Sequence, residues 1–218
     1  NVEKTENANP QLKYNGADDE YQPRMASKLT FNMLVENAED AHFLHLLTGN
    51  ETRFEVQLED ADTNDLLWQG FLLPDQYSEP YENGALFVQF TATDGLGRLK
   101  NKYLPDAYYS EIKTIPQIIT ACLKLTGNSF TTIIAPAITS AVVTIIENDK
   151  EIDTSIFVEN NKKQNAYQIL EDLVASMACK LFQQKGIWYV VGINNFNKLE
   201  VPCEFYASDG TKYIADGI

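Results

Sequence analysis

The sequence predicts an α+β fold in two parts. Residues 1–100 read as an antiparallel β-barrel or sheet module with one short helix, and residues 101–218 as a smaller α+β module with two amphipathic helices and a β-hairpin. Three observations predict this. Apolar and polar residues alternate with period two in several runs before residue 95. Two later runs repeat apolar residues every three or four positions, each opened by the same capping pattern. The 218 residues, 44% of them hydrophobic, suffice for a buried core in one large domain or two small ones.

A strand is expected around residues 12–14 in an otherwise polar start. The run "SKLTFNMLV" then puts Leu29, Phe31, Met33 and Val35 on one face and Lys28, Thr30 and Asn32 on the other, the mark of a half-buried strand. Next comes "NAEDAHFLHLLTG", with Asn37 as a cap, acidic residues in the first turn and Gly49 as a stop, which predicts a helix near 38–48. "RFEVQLED" alternates again, with Phe54, Val56 and Leu58 inward. A turn at 62–64 leads into the more continuously apolar "LLWQGFLLP", and a loop joins it to "ALFVQFTAT".

Beyond residue 100 the character changes. "TIPQIITACLKLTG" predicts a helix near 114–126, with Thr114 and Gln117 as a capping box, Pro116 in the first turn and Gly127 as the stop. "NAYQILEDLVASMACKLFQQKG" repeats the scheme with Asn165 and Gln168, and its apolar stripe from Tyr167 to Phe182 predicts a helix near 165–184 ended by Gly186. Such a stripe ordinarily packs in the chain's own core rather than holding a cofactor. Strands follow near 187–194 and 199–207, read as partners in a hairpin. The 22 uncharged residues of 125–146 are long enough to span a bilayer. Their Pro136 and β-branched residues favour broken strands, so no membrane span is expected.

The formal charge of −14 argues against a nucleic-acid binder, because phosphate recognition needs a basic face. Nine acids against one base, Arg53, fall within residues 51–82, a stretch whose ordinary role is a solvated surface. Cys122, Cys179 and Cys203 lie far apart without metal or redox spacing, so neither a disulfide scaffold nor a metal site is expected. The chain starts at Asn1 without a signal-peptide pattern, and is expected to be cut from something longer.

Catalytic patterns are thin. His42 and His45 lie three apart but lack an HExxH frame, and read as solvent-edge residues. Ser176 lacks the glycines of a nucleophile elbow. "TATDGLGRLK" superficially matches a Gly-rich phosphate loop, yet Lys100 stands where the third glycine belongs. Its residues suit a strand-to-helix corner better. Asp94 accepts from the free N–H groups of a short turn begun at Gly95, Leu96 and Leu99 point inward, and Arg98 and Lys100 face out. No cofactor is expected.

In this corner and the runs around it the chain resembles tail-hub or tail-tip proteins of bacteriophages and prophages. The matching features, in order, are the Trp-x-Gly strand of Trp68 and Gly70, the Tyr-Pro loop from Tyr77 to Tyr81, and the strand end with Asp94, Gly95, Leu96 and Leu99. The helix leading to Gln184, Gly186, Trp188 and Tyr189 completes them. The resemblance spans about residues 66–192 and implies tail-tube-like barrel modules interrupted by α+β insertions. It also implies a non-catalytic baseplate-hub role in the virion tail after synthesis in the host cytoplasm. Implied partners are other tail proteins and further copies, in a trimeric or hexameric ring. The chain is shorter than a full hub. A competing reading is an acidic cell-surface or glycan-binding module, for which Tyr77, Tyr81, Tyr103, Tyr108 and Tyr109 are the stacking candidates. A wall hydrolase with two carboxylates is a third, without a convergent site in the sequence.

Overall fold

Alternation of side chains builds the first sheet. In the computed structural model, which describes residues 10–15, 23–35, 50–73, 86–135, 150–195 and 203–213, it has five antiparallel strands. They are β1 (Gln11–Tyr14), β3 (Ser27–Val35), β4 (Glu55–Glu59), β5 (Leu66–Leu72) and β6 (Leu86–Thr93), in the spatial order β1-β3-β6-β5-β4. The long β3–β6 ladder sets Leu29 opposite Ala92, Phe31 opposite Phe90 and Met33 opposite Val88, so each inward residue meets another. The Phe31 and Phe90 rings stack at 5.8 Å. Strand β4 turns Val56 and Leu58 inward and leaves Glu55, Gln57 and Glu59 exposed, and a bulge between Leu58 and Glu59 bends it at the sheet edge. Among the described residues β1 and β4 are the edges, and no barrel closes. The helix expected near 38–48, with His42 and His45, lies outside the described residues.

The second core lies around a mixed sheet. Its strands are β2 (Arg24–Met25), β8 (Thr131–Ala135), β12 (Cys179–Gln184), β13 (Ile187–Gly192), β14 (Glu204–Tyr206) and β15 (Lys212–Tyr213), ordered β15-β14-β8-β13-β12-β2. β8 runs parallel to β13 and β2 parallel to β12, while the other pairs are antiparallel. Helices α1 (Ile115–Lys124) and α2 (Ala166–Ser176) share its core: Ile118, Ile119 and Cys122 from one and Ile169, Leu170 and Val174 from the other are buried with Ile134, Leu181, Trp188 and Val190. Short ladders, β7 (Ile112–Thr114) with β9 (Glu151–Asp153) and β10 (Val158–Glu159) with β11 (Lys162–Lys163), complete it. The fold is thus α+β with mostly antiparallel sheets. None of its helices among the described residues is long and apolar enough to cross a membrane.

Both capping boxes form. Thr114 N–H donates to Gln117 Oε1 at 3.1 Å, and Asn165 N–H to Gln168 Oε1 at 3.1 Å while Gln168 N–H returns to Asn165 Oδ1 at 2.9 Å. The second helix, however, does not reach residue 184. It ends at Ser176, Ala178 takes a left-handed conformation (φ 49°), and Cys179–Gln184 is strand β12. The reason is that "CKLFQQ" also fits a period of two. Cys179, Leu181 and Gln183 are buried on one side, and the ladder to β13 outweighs continued helix. Gly186 is accordingly not a helix stop. With Lys185 (φ 53°) it makes the two-residue turn between β12 and β13, both φ angles positive as a type I′ turn requires. The expected hairpin between 187–194 and 199–207 is also corrected. β13 pairs with β12 and β8, and β14 pairs with β8 and β15. Residues 199–202 lie outside the described set.

Candidate functional site

Asp94 ends β6 and is wholly buried, so its carboxylate must find donors inside the protein. It finds three. Ser27 gives both its N–H and its hydroxyl to Oδ2 at 2.6 Å each, and Leu96 N–H gives to Oδ1 at 3.0 Å. Ser27 Oγ in turn accepts the Trp68 indole N–H at 2.8 Å. On the far side, Asn128 Nδ2 donates to the Asp94 carbonyl at 2.9 Å. One residue, through its carboxylate and its carbonyl, thereby ties β3 and β5 of the first sheet to the turn and loop that enter the second core. Burial pushes its pKa from 3.8 up to about 6, and the bonds from Ser27 and Leu96 oppose that rise.

Two glycines let the backbones close around this joint. Residues 68 and 70 share a face of β5, and the Trp68 ring lies over Gly70. A methyl at 70 would sit 2.3 Å from the ring and 2.3 Å from the Thr93 carbonyl oxygen. Gly95 has φ 89°, and a methyl there would meet the Thr126 carbonyl at 2.9 Å. The Trp-x-Gly and Asp-Gly-Leu patterns thus meet at one packed point.

Beyond Gly95, a 3₁₀ turn (Leu96–Asn101) buries Leu96 and Leu99 in the second core. Lys100 is exposed and stands 4.9 Å over the Tyr167 ring. Arg98 departs from the expected outward position. Its side chain is only 16% exposed, with Nη1 donating to Thr126 O at 2.7 Å and Nε to Glu51 at 2.9 Å. The turn leaves a carbonyl free just where a guanidinium reaches, which residue spacing could not foretell. No phosphate cradle forms at the corner, because Asp94 takes the Leu96 N–H itself.

A second joint uses Trp188, buried against Phe130 at 5.9 Å between ring centres. Opposite it in register is Gln183, also buried, whose Nε2 donates to Gln69 O at 3.2 Å across to β5. Tyr14 OH donates to Gln183 O at 3.0 Å and Lys185 N–H to Leu67 O at 3.0 Å, so β12 and its turn lean on the first sheet. Sequence reasoning missed Ser27, Asn128 and Gln183. The first is a strand-leading serine and the others are isolated amides, and none carries a local signal of long-range bonding.

Other candidates stay apart. Cys122 and Cys179 are buried, and burial pushes the Cys122 thiol up, while Cys203 is exposed. Ser176 is the last residue of α2, and its hydroxyl donates to Leu173 O. Tyr77 and Tyr81 lie outside the described residues. Tyr108 OH donates to Gln117 O and Tyr109 OH to Gln164 O, which commits both to packing, whereas Tyr103 is exposed. Among the described residues no three His, Cys, Asp or Glu side chains gather as a metal site.

No protein-family model matches the chain, and no curated protein matches it. Among solved structures it is similar to the 43 kDa tail protein of prophage MuSo2 from Shewanella oneidensis, at 10% identity and a TM-score of 0.48, over 84% of this chain and 48% of that one. It is also similar to the tail protein from Neisseria meningitidis MC58, at 12% identity and a TM-score of 0.43, over 83% of this chain and 49% of that one. The chain spans about half the length of these two tail proteins.

Proposed function

We propose that this chain is a non-catalytic structural component of a phage or prophage tail tip or baseplate hub, part of a ring that joins the tail tube to distal or host-contact parts. The observation that carries the reading is the use made of the residues on which the sequence resembles tail-hub proteins. Trp68, Gly70, Asp94, Gly95, Leu96 and Leu99 converge on one joint, where the polar groups bond to one another inside the fold. A buried carboxylate with three protein donors holds the first sheet to the turn that enters the second core, and its bonding capacity is spent inside the fold.

In this reading the residues up to 100 form a tail-tube-like barrel module and 101–218 an inserted α+β module, with β2 crossing back to the second sheet. The chain contacts other tail proteins and further copies of itself. Antibodies raised against the chain should label one end of the tails in electron micrographs of intact particles. Labelling confined to capsids would overturn the proposal.

A further inference from the structure

The β4–β5 hairpin is charged differently at its two ends. Its closed end, residues 60–65, carries exposed Asp62 and Asp65 beside exposed Glu59. The turn is internally braced: Asp60 N–H donates to Asp65 O at 2.9 Å, Asn64 N–H to Asp60 O at 2.9 Å, and Asp60 Oδ1 accepts from Asp62 and Thr63. The open end, one strand length or about 20 Å away, borders a groove of about 430 Å³ lined by Glu51, Leu73, Thr93, Arg98, Asn101 and Lys102.

That groove gathers donors. Arg98 has five N–H groups, and its bonds to Glu51 and Thr126 use two. Lys102 and Asn101 are exposed at its rim, and Lys102 makes no ion pair among the described residues. Glu51 neutralises part of Arg98, so among the described residues the groove keeps a modest positive balance in a chain whose net charge is −14. A guanidinium, an ammonium and an amide around one depression suit carboxylates.

We propose that this groove receives the acidic hairpin end of a second copy of the chain, making a head-to-tail contact. Charge complementarity points to the occupant, and geometry excludes the chain's own hairpin end. The paired strands hold the acidic end a strand length from the groove at the other end of the same hairpin, so it cannot fold back into its own groove. A copy that donates its hairpin end on one side and its groove on the other forms a heterologous contact, which repeats into a closed ring or an open filament. The proposal rests on the self-association in the reading above and supplies the surfaces for it.

Sedimentation velocity of the full chain at low and high salt tests it, with two charge-reversed variants, Asp62→Lys with Asp65→Lys, and Lys102→Glu. All three positions are exposed and outside the cores, so both variants should fold. Wild-type protein should associate at low salt and lose association as salt screens the contact. Each variant alone should weaken association by about tenfold or more. Mixing the two should restore it, because each then presents an end opposite in charge to the other's groove. If wild-type protein associates and both variants associate equally well, this contact is overturned while self-association stands. A wild-type chain that stays monomeric at low salt up to its solubility limit overturns both.

Discussion

The indole N–H of Trp68 donates to Ser27 Oγ at 2.8 Å, and through that hydroxyl a residue of β5 reaches the carboxylate at the end of β6. Three strands already paired in one sheet and the start of the 3₁₀ turn are thereby also held by side chains. Trp68→Phe removes the donor and keeps most of the ring, so it should destabilise the fold by about 1–3 kcal/mol. Gly70→Ala should cost more, because its methyl meets a backbone oxygen and the ring of Trp68 at 2.3 Å each. The oxygen cannot withdraw without moving β6 from β5, nor the buried ring without losing its packing. Urea unfolding of the two variants checks the order. A Gly70→Ala protein as stable as wild type would show that the ring does not lie over residue 70.

Asp94 gives the joint a pH dependence of definite sign. Its pKa is raised from 3.8 to about 6, so the folded protein holds the proton more tightly than the unfolded chain does. The ionised form counts against folding at pH values above about 6, and the penalty is relieved as pH falls from there towards 3.8. The difference corresponds to about 3 kcal/mol. Asp94→Asn keeps the shape and does not titrate, while other acids cancel in the comparison. The stability of wild type relative to Asp94→Asn should therefore rise, by up to that amount, between pH 7.5 and pH 4. A relative stability that falls on acidification would mean that the bonds from Ser27 and Leu96 outweigh burial.

The turn between β12 and β13 should respond to substitutions in opposite directions. Lys185 holds φ 53° with a side chain that disfavours it, whereas Asn tolerates that region. Lys185→Asn should stabilise by a few tenths to about 1 kcal/mol. Gly186→Ala should destabilise by about 1 kcal/mol or more, since φ is 67° and the added methyl would meet Leu66 Cδ2 at 2.8 Å. Thermal unfolding of both variants measures the signs.

Much of the first sheet was legible because one face of each strand is buried and the other is wet, as in "SKLTFNMLV" and "RFEVQLED". Both helix starts were legible because capping is local chemistry, complete within four residues. What could not be read depends on partners distant in sequence. Ser27 and Asn128 lie 67 and 34 residues from Asp94, and nothing in their neighbourhoods marks them. Arg98 was misplaced because a helical wheel puts it outward, while the carbonyl it reaches belongs to Thr126. β12 was hidden because apolar Leu181 and Phe182 fit a helical stripe as well as a strand. Its neighbours β13 and β2, which decide the matter, are invisible to any local window.

That ambiguity leaves a direct test at Ala178, which sits where helix gives way to strand. In the fold described here its φ is 49°, a left-handed conformation that alanine adopts at a cost of about 1–2 kcal/mol. Glycine meets no such penalty, although it loses more backbone freedom on folding. Ala178→Gly should therefore stabilise the protein by about 1 kcal/mol, like the glycine that commonly follows a helix. In a helix continuing to residue 184 the same substitution would fall in the interior and destabilise by about 1 kcal/mol. The two arrangements thus predict opposite signs for one substitution at one position. A chemical-denaturation midpoint that moves up supports the break after Ser176, and one that moves down would restore the single long helix.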